Sequence, residues 1–294
     1  DSVLAPCTEL SCRAGKQVGA QFPCIPGYSC TGRVIACGQN TTLKKGALVY
    51  TSGTAKADIH TTWGGHTAHA VQKETNIFSL PAGLDPLSGA AAHLAAIAYR
   101  GFRLAQPKSH EAVAVIGLGA IGAFAARLYA LSGAKVVAAD LSHHRVEITR
   151  QAGIKAFVPG GDLAAGFRQV LPDDADLVVD ATGHPAVLPM ALQVAREKPW
   201  DNSADPGPRL VIQGSYPNQF SIPYDLAFQR EMTFYVPRDS QQRDIHAVLD
   251  LMGRGKLSVD GIISETLRPN QANDGYTKLT DPQAEWITFA FDWS

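Results

Sequence analysis

The stretch "AVAVIGLGAIGAFAARLYALSGAKVVAAD", residues 112–140, decides how the rest of the chain is read. Residues 113–116 form a short apolar run, the pattern of a buried strand. They lead straight into Gly117-Leu118-Gly119-Ala120-Ile121-Gly122, and Phe124, Leu128 and Leu131 then recur at helical spacing. A second apolar strand, residues 136–139, ends in Asp140. Each part meets one demand of a bound dinucleotide. Gly117 permits a tight turn, Gly119 lets the backbone approach a pyrophosphate, and Gly122 lets the helix pack closely on the strand. The helix start at Ala120 and Ile121 turns unpaired amides and the positive end of its dipole toward the phosphates. Asp140 is placed to accept hydrogen bonds from the adenosine ribose hydroxyls, with Leu141 and Arg145 close behind it. A glycine triplet alone also marks ordinary turns. The order strand, turn, helix, strand, acid is what makes the pattern specific.

Composition narrows the partners. In 294 residues, 26 Lys and Arg against 27 Asp and Glu leave a formal charge of -1, which offers no electrostatic attraction for nucleic acid or an anionic membrane. The apolar run at 113–126 is too short and too glycine-rich to span a bilayer. No basic-then-apolar leader precedes it, so a cytoplasmic protein is expected. All five cysteines fall within residues 7–37, without a C-x-x-C pair. An odd number without that spacing indicates neither a zinc module nor a complete disulfide set, and reduced thiols are expected.

Outward from the opening stretch, the chain changes character twice. Residues 1–83 lack helical periodicity and show short apolar runs separated by Gly, Thr and Pro, as in a small β-rich domain. A strand is expected over 30–37, a turn at Gly38-Gln39-Asn40, and a second strand after Gly46. Pro86 opens an Ala-rich helix over 87–104. Strands at 113–116, 136–139, 156–158, 177–180, 209–213 and 233–236 then alternate with helices near 145–152, 163–171, 185–195 and 245–252. Such alternation predicts a parallel sheet covered by helices on both faces. Residues 200–208 read as a surface loop. The tail, 257–294, is irregular again and is expected to fold back onto the first domain. The expected division is 1–83, 84–254 and 255–294.

"FPCIPGYSCTGRVIACGQNTTLKKGALVY" (22–50), "VAVIGLGAIG" (113–122), "VVDATGHP" (178–185) and "GKLSVDGIISETL" (255–267) together resemble the medium-chain dehydrogenase/reductase superfamily. The resemblance implies an α/β protein with a Rossmann doubly wound parallel sheet and a discontinuous GroES-like β-rich domain. It further implies NAD(P)-dependent redox chemistry on a small molecule and pairing as a homodimer. It places the chain's start within the family's first domain, leaving that domain incomplete. The departures matter as much as the matches. Ala5 stands where the family's zinc enzymes carry a catalytic Cys, and Tyr28-Ser29 stand in place of a His-Glu pair. The four-cysteine lobe that holds a structural zinc is missing as well. The segments "WGGHTAHAV" (63–71), "HLAAIAY" (93–99) and "FAFDW" (289–293) are most similar to the zinc-free branch that includes bacteriochlorophyllide a dehydrogenase. No zinc and no other metal is therefore expected.

Asp140 would repel a 2′-phosphate and hold a 2′-hydroxyl, which favours NAD, whereas His143, His144 and Arg145 leave NADP open. The resemblance sets Ala181, Thr182 and Gly183 beside the nicotinamide ribose and Gly214, Ser215 and Tyr216 near its ring. Each is equally a strand-end turn. Without zinc, a substrate alcohol needs another proton acceptor, and histidine suits that task near neutral pH. His93, at the family's third zinc-ligand position, His66 and Tyr28 are the candidates, each weighed against a structural role. A metal set from His60, His66 and His69 is disfavoured, because no carboxylate lies near that loop. The implied activity is hydride transfer between nicotinamide and a secondary alcohol or ketone. An NADPH-dependent quinone or enone reductase and a non-catalytic dinucleotide-binding protein stand as alternatives.

Overall fold

The computed structural model describes residues 1–201, 205–217, 219–281 and 284–294. Two compact units emerge, Asp1–Ala96 with Gln241–Ser294, and Ile97–Ser240. The first begins with β1 (Ser2–Val3), α1 (Pro6–Arg13), β2 (Cys24–Ile25), β3 (Cys30–Arg33), β4 (Leu48–Thr51), β5 (His60–Thr61), β6 (Ile77–Ser79) and α2 (Pro86–Ala90). Helix α3 (Ala92–Ala105) follows, and the division between units falls within it. The Ala-rich stretch is thus two helices, parted at Ala91. The strand expected over 30–37 ends at Arg33, and beyond it Ile35 turns to solvent.

The second unit alternates strand and helix: β7 (Ala112–Ile116), α4 (Ala120–Leu131), β8 (Lys135–Ala139), α5 (His143–Gln151), β9 (Lys155–Phe157), α6 (Leu163–Arg168), β10 (Leu177–Asp180), α7 (Val187–Val194), β11 (Arg209–Ile212), α8 (Tyr224–Gln229) and β12 (Thr233–Tyr235). Its six strands pair in parallel in the order β12-β11-β10-β7-β8-β9. The chain starts at the centre, winds outward through β8 and β9, then returns to β10 and winds the other way. This is the doubly wound sheet read from the sequence. Its strands are apolar on both faces; on one of them Ala114, Ile116, Val137, Val178, Leu210 and Ile212 pack with Phe167, Leu188 and Leu192. Between β7 and β10 the winding reverses, and such reversals leave a ligand crevice at the carboxyl ends of the strands. Within the loop read at 200–208, residues 202–204 lie outside the described residues.

The chain then returns to the first unit through α9 (Gln242–Gly253), β13 (Ile263–Leu267), α10 (Ala272–Thr280) and β14 (Thr288–Phe291). The main sheet of that unit runs β13-β14-β1-β3-β4-β6, with β1 antiparallel to both β14 and β3. Leu4, Leu267, Phe289 and Phe291 centre its core, with Tyr276, Trp286 and Trp293 packed around them. The tail is therefore regular where the sequence reads as irregular. The units also divide at 96/97 and 240/241 rather than at 83/84 and 254/255. Packing explains both shifts. Ser29 Oγ donates to the Ala90 carbonyl and Thr31 Oγ1 to that of Pro86, tying α2 to the β-rich unit. His246 of α9 packs on Phe78, and Gly253 lies against Pro81.

Candidate functional site

In the second unit the glycines of the β7–α4 turn differ in what surrounds them. Gly117 holds a φ of 87°, and a Cβ there would press on Thr182 at 2.9 Å. At Gly122 a Cβ would come within 1.8 Å of the Gly117 carbonyl oxygen, so the helix sits directly on the turn. Gly119 is different. It is the N-cap of α4, no side chain caps the helix, and a Cβ there would meet only open space. The turn thus presents first-turn amides at Ala120 and Ile121 to an open approach, as an anion requires.

Asp140 closes the end of β8. Its Oδ2 accepts from the Leu118 amide at 2.6 Å and its Oδ1 from the Ser142 amide at 2.8 Å. Each carboxylate oxygen retains capacity for a further donor. The Arg145 guanidinium stands 3.8 Å from Oδ2, while Leu141 is exposed. Across the switch point, Ala181, Thr182 and Gly183 follow β10, and Gly214, Ser215 and Tyr216 follow β11. A Cβ on Gly183 would strike the Ser215 carbonyl at 2.4 Å, and one on Gly214 would strike the Gly183 amide nitrogen at 2.2 Å. The two strand ends form one continuous strip for that reason.

Beneath the strip lies Asp180, wholly buried. Thr182 donates to its Oδ1 from both hydroxyl, at 2.6 Å, and amide, at 2.9 Å. Burial pushes the Asp180 carboxyl above its usual range, against the opposing pull of Thr182, Tyr216 and His184. Burial and the neighbouring Asp180 push the Tyr216 phenol upward too.

The first unit gathers a second group. His93 sits in the first turn of α3, half-buried, with Nδ1 3.1 Å from the Tyr50 hydroxyl. The Tyr28 ring lies 4.6 Å from the His93 ring and meets Trp63 edge-on at 5.4 Å. Tyr28 and His93 are therefore together, with one imidazole between two phenols. His66 belongs to another network. Its Nε2 is 2.6 Å from Glu9 Oε2 and its Nδ1 is 2.7 Å from Ser2 Oγ. Tyr276 donates to the same Glu9 oxygen at 2.9 Å, and the Trp293 indole donates to Ser2 at 2.9 Å. Both ring nitrogens of His66 are thus engaged inside the protein. Gly27 takes a φ of 87° with no Cβ because the His66 ring fills that space, at 2.8 Å.

Sequence reasoning does not single out Tyr50, Asp180 or Glu9. Tyr50 reads as an ordinary strand residue and Asp180 as a strand end. Glu9 falls in a stretch without periodicity.

Two of the positions that the resemblance aligns with zinc ligands, Ala5 and Tyr28, carry no thiolate, imidazole or carboxylate. Ala5 offers a buried methyl, and the Ser29 hydroxyl is committed to the Ala90 carbonyl and the His93 amide. Among the described residues no group of three or more His, Cys, Asp or Glu is arranged to hold a metal. Nor is any described helix long and apolar enough to cross a membrane.

Comparison with known proteins adds an independent line. Residues 120–199 match the model of the zinc-binding dehydrogenase family. The 2-desacetyl-2-hydroxyethyl bacteriochlorophyllide A dehydrogenase of Rhodobacter capsulatus is 25% identical over 281 residues, 94% of this chain and 81% of that protein. Among solved structures, an alcohol dehydrogenase from a Thermus species superposes with a TM-score of 0.81 at 21% identity, covering 98% of this chain and 89% of that one. An acetophenone reductase from Geotrichum candidum, solved in complex with NAD, superposes with a TM-score of 0.80 at 19% identity, covering 99% and 86%.

Proposed function

We propose that the chain is an alcohol dehydrogenase-like oxidoreductase of the medium-chain dehydrogenase/reductase superfamily, and that it transfers hydride between nicotinamide and a secondary alcohol or its ketone without zinc. The observation that carries the reading is the open, side-chain-uncapped start of α4 at Gly119, beside a carboxylate at Asp140. Bound NAD(P) supplies the hydride acceptor or donor at its nicotinamide ring. Gly119 and the amides of Ala120 and Ile121 hold the pyrophosphate. Asp140 takes the ribose hydroxyls and favours NAD, while Arg145 beside it tolerates the 2′-phosphate of NADP. The strip at 181–183 and 214–216 receives the nicotinamide half.

The acid–base work falls to His93 and Tyr28. Tyr50 engages His93 Nδ1 and so helps to orient the ring. An imidazole so held takes the proton of a substrate alcohol, the task that zinc and its ligands ease in other members. His66, among the sequence candidates, holds α1 and Gly27 in place through Glu9 and Ser2. The exposed edge strand β12, with Trp200, Tyr224 and Phe228 exposed in the same unit, supports a homodimer.

The test is turnover of a panel of secondary alcohols and ketones with NAD(H) and NADP(H), with and without a strong chelator. Chelation is expected to leave the rate unchanged, and NADH to bind more tightly than NADPH. His93→Ala is expected to lower kcat by about 10²–10⁴-fold while NADH still binds. Loss of activity on chelation would overturn the zinc-free reading. Unchanged kcat in both His93→Ala and Tyr28→Phe would overturn the acid–base assignment.

A further inference from the structure

Cys12 and Cys24 occupy a place that the proposed chemistry does not use. Cys12 is the buried residue near the end of α1, and Cys24 is the half-buried first residue of β2. Both line one small surface cavity together with Glu9, Arg13, Phe22, Pro26, Asn273 and Tyr276. They are neighbours on that cavity, close enough for Cys24 to perturb the Cys12 thiol, and both are free thiols. The other cysteines are placed differently. The Cys30 thiol is buried in the β-rich core and donates to the Thr51 carbonyl. The Cys37 thiol is exposed and donates to the Leu43 carbonyl. Cys7 is exposed on α1, five positions before Cys12 and well round the helix from it.

We propose that Cys12 and Cys24 form a reversible redox site, at which a peroxide joins them in a disulfide that ties the end of α1 to β2. The site stands independently of the hydride-transfer reading. Cys24, the more exposed thiol, reacts first. Its thiolate attacks one peroxide oxygen, an S–O bond forms as the O–O bond breaks, and hydrogen peroxide leaves its other oxygen as water. The Cys12 sulfur then attacks the Cys24 sulfenic acid. An S–S bond forms, the S–O bond breaks, and the hydroxide leaves with the Cys12 proton as a second water. Two thiols and one hydrogen peroxide thus give one disulfide and two waters. The raised pKa of Cys12, about 11 through burial and its neighbour Cys24, keeps it protonated and assigns the first reaction to Cys24.

The segment between the two cysteines allows the closure. Residues 13–16, 18, 19 and 21–23 are exposed, and a short solvent-facing loop adjusts to a bridge more readily than packed elements do. The tie would restrain the strand that leads through Pro26 and Gly27 to Tyr28.

The experiment exposes the full-length reduced protein to hydrogen peroxide, then alkylates the remaining thiols under denaturing conditions and maps peptides by mass spectrometry. Of five cysteines, two are expected to escape alkylation, with a linked Cys12–Cys24 peptide pair 2 Da lighter than the two reduced peptides. Dithiothreitol is expected to restore all five. The doubly substituted Cys7→Ser, Cys37→Ser protein changes only exposed positions, and it is expected to lose the same two thiols. In Cys12→Ser, Cys24 is expected to stop at the sulfenic or sulfinic acid. Cys12 and Cys24 both remaining alkylatable, a bridge to another cysteine, or Cys24 over-oxidised without a bridge in the unsubstituted protein would each overturn the proposal.

Discussion

Asp180 pays for its place beneath the strip with a desolvated carboxylate, and that cost has a pH signature. Its folded-state pKa lies above the unfolded value, so the native protein keeps the proton longer than the unfolded chain does. The stability this lends is fully present below about pH 4, the unfolded range, and is lost as pH rises through the folded value. Tyr216, His184 and Thr182 are the groups that face it. Asp180→Asn keeps an acceptor for the Thr182 amide and hydroxyl while removing the charge. The melting temperature of this variant relative to the unsubstituted protein is therefore expected to climb as pH rises above about 4. Calorimetry across that range decides the matter. A difference that stays flat with pH would show that Asp180 carries no buried charge.

Helix α1 shows what an element can hide from its sequence. Only Glu9 and Cys12 of its eight residues are buried, so it has no apolar stripe and reads as irregular. What fixes it is polar: Glu9 accepts from the Ala5 amide, Tyr276 and His66. Removing that carboxylate strands two buried donors and one half-buried one, and Glu9→Ala is expected to cost about 3 kcal/mol or more. Urea unfolding measures it, and a loss below about 1 kcal/mol would mean that the network is slack. Helix α10 escaped notice for a related reason, since Gly275 is its one buried residue and Tyr276 contributes through its ring edge to Phe289. By contrast, β7, β8, β10 and β11 were legible because buried parallel strands are continuous apolar runs with glycine or acid at their ends. The glycine turn after β7 and the strand ends of β10 and β11 were legible through their turn chemistry. The cluster of Tyr28, Tyr50 and His93 was legible only in part, because their meeting depends on strands and a helix far apart in sequence. Nothing local marks Tyr50 as the partner of His93.

At the scale of the whole molecule, β12 is an end strand of the second unit's sheet, with one side unpaired among the described residues. Phe228 stacks on Tyr224 at 5.5 Å and touches Trp200 at 6.0 Å, all three largely exposed. Exposed aromatic surface and a sheet-edge strand each favour self-association. The protein is expected to sediment at twice its 31.3 kDa chain mass, and Phe228→Asp is expected to weaken the pairing. A wild-type protein sedimenting at the mass of one chain would overturn the dimer.

The position of β1 between β14 and β3 sets a timetable for biosynthesis. Strands β7 to β12 and their helices lie within one uninterrupted run of chain, so the second unit has all its parts once residue 240 clears the ribosome. The main sheet of the first unit does not. Ser2 and Val3 wait for Phe291 and Ala290, nearly the full length of the chain later, and Thr288 is what bonds the Leu4 carbonyl. Until residues 288–291 are made, β1 has one open edge and Leu4 lacks the covering of Phe289 and Phe291. The nascent chain therefore carries a finished nucleotide-type domain flanked by an exposed, unfinished β-rich one, the period in which chaperone protection would matter most.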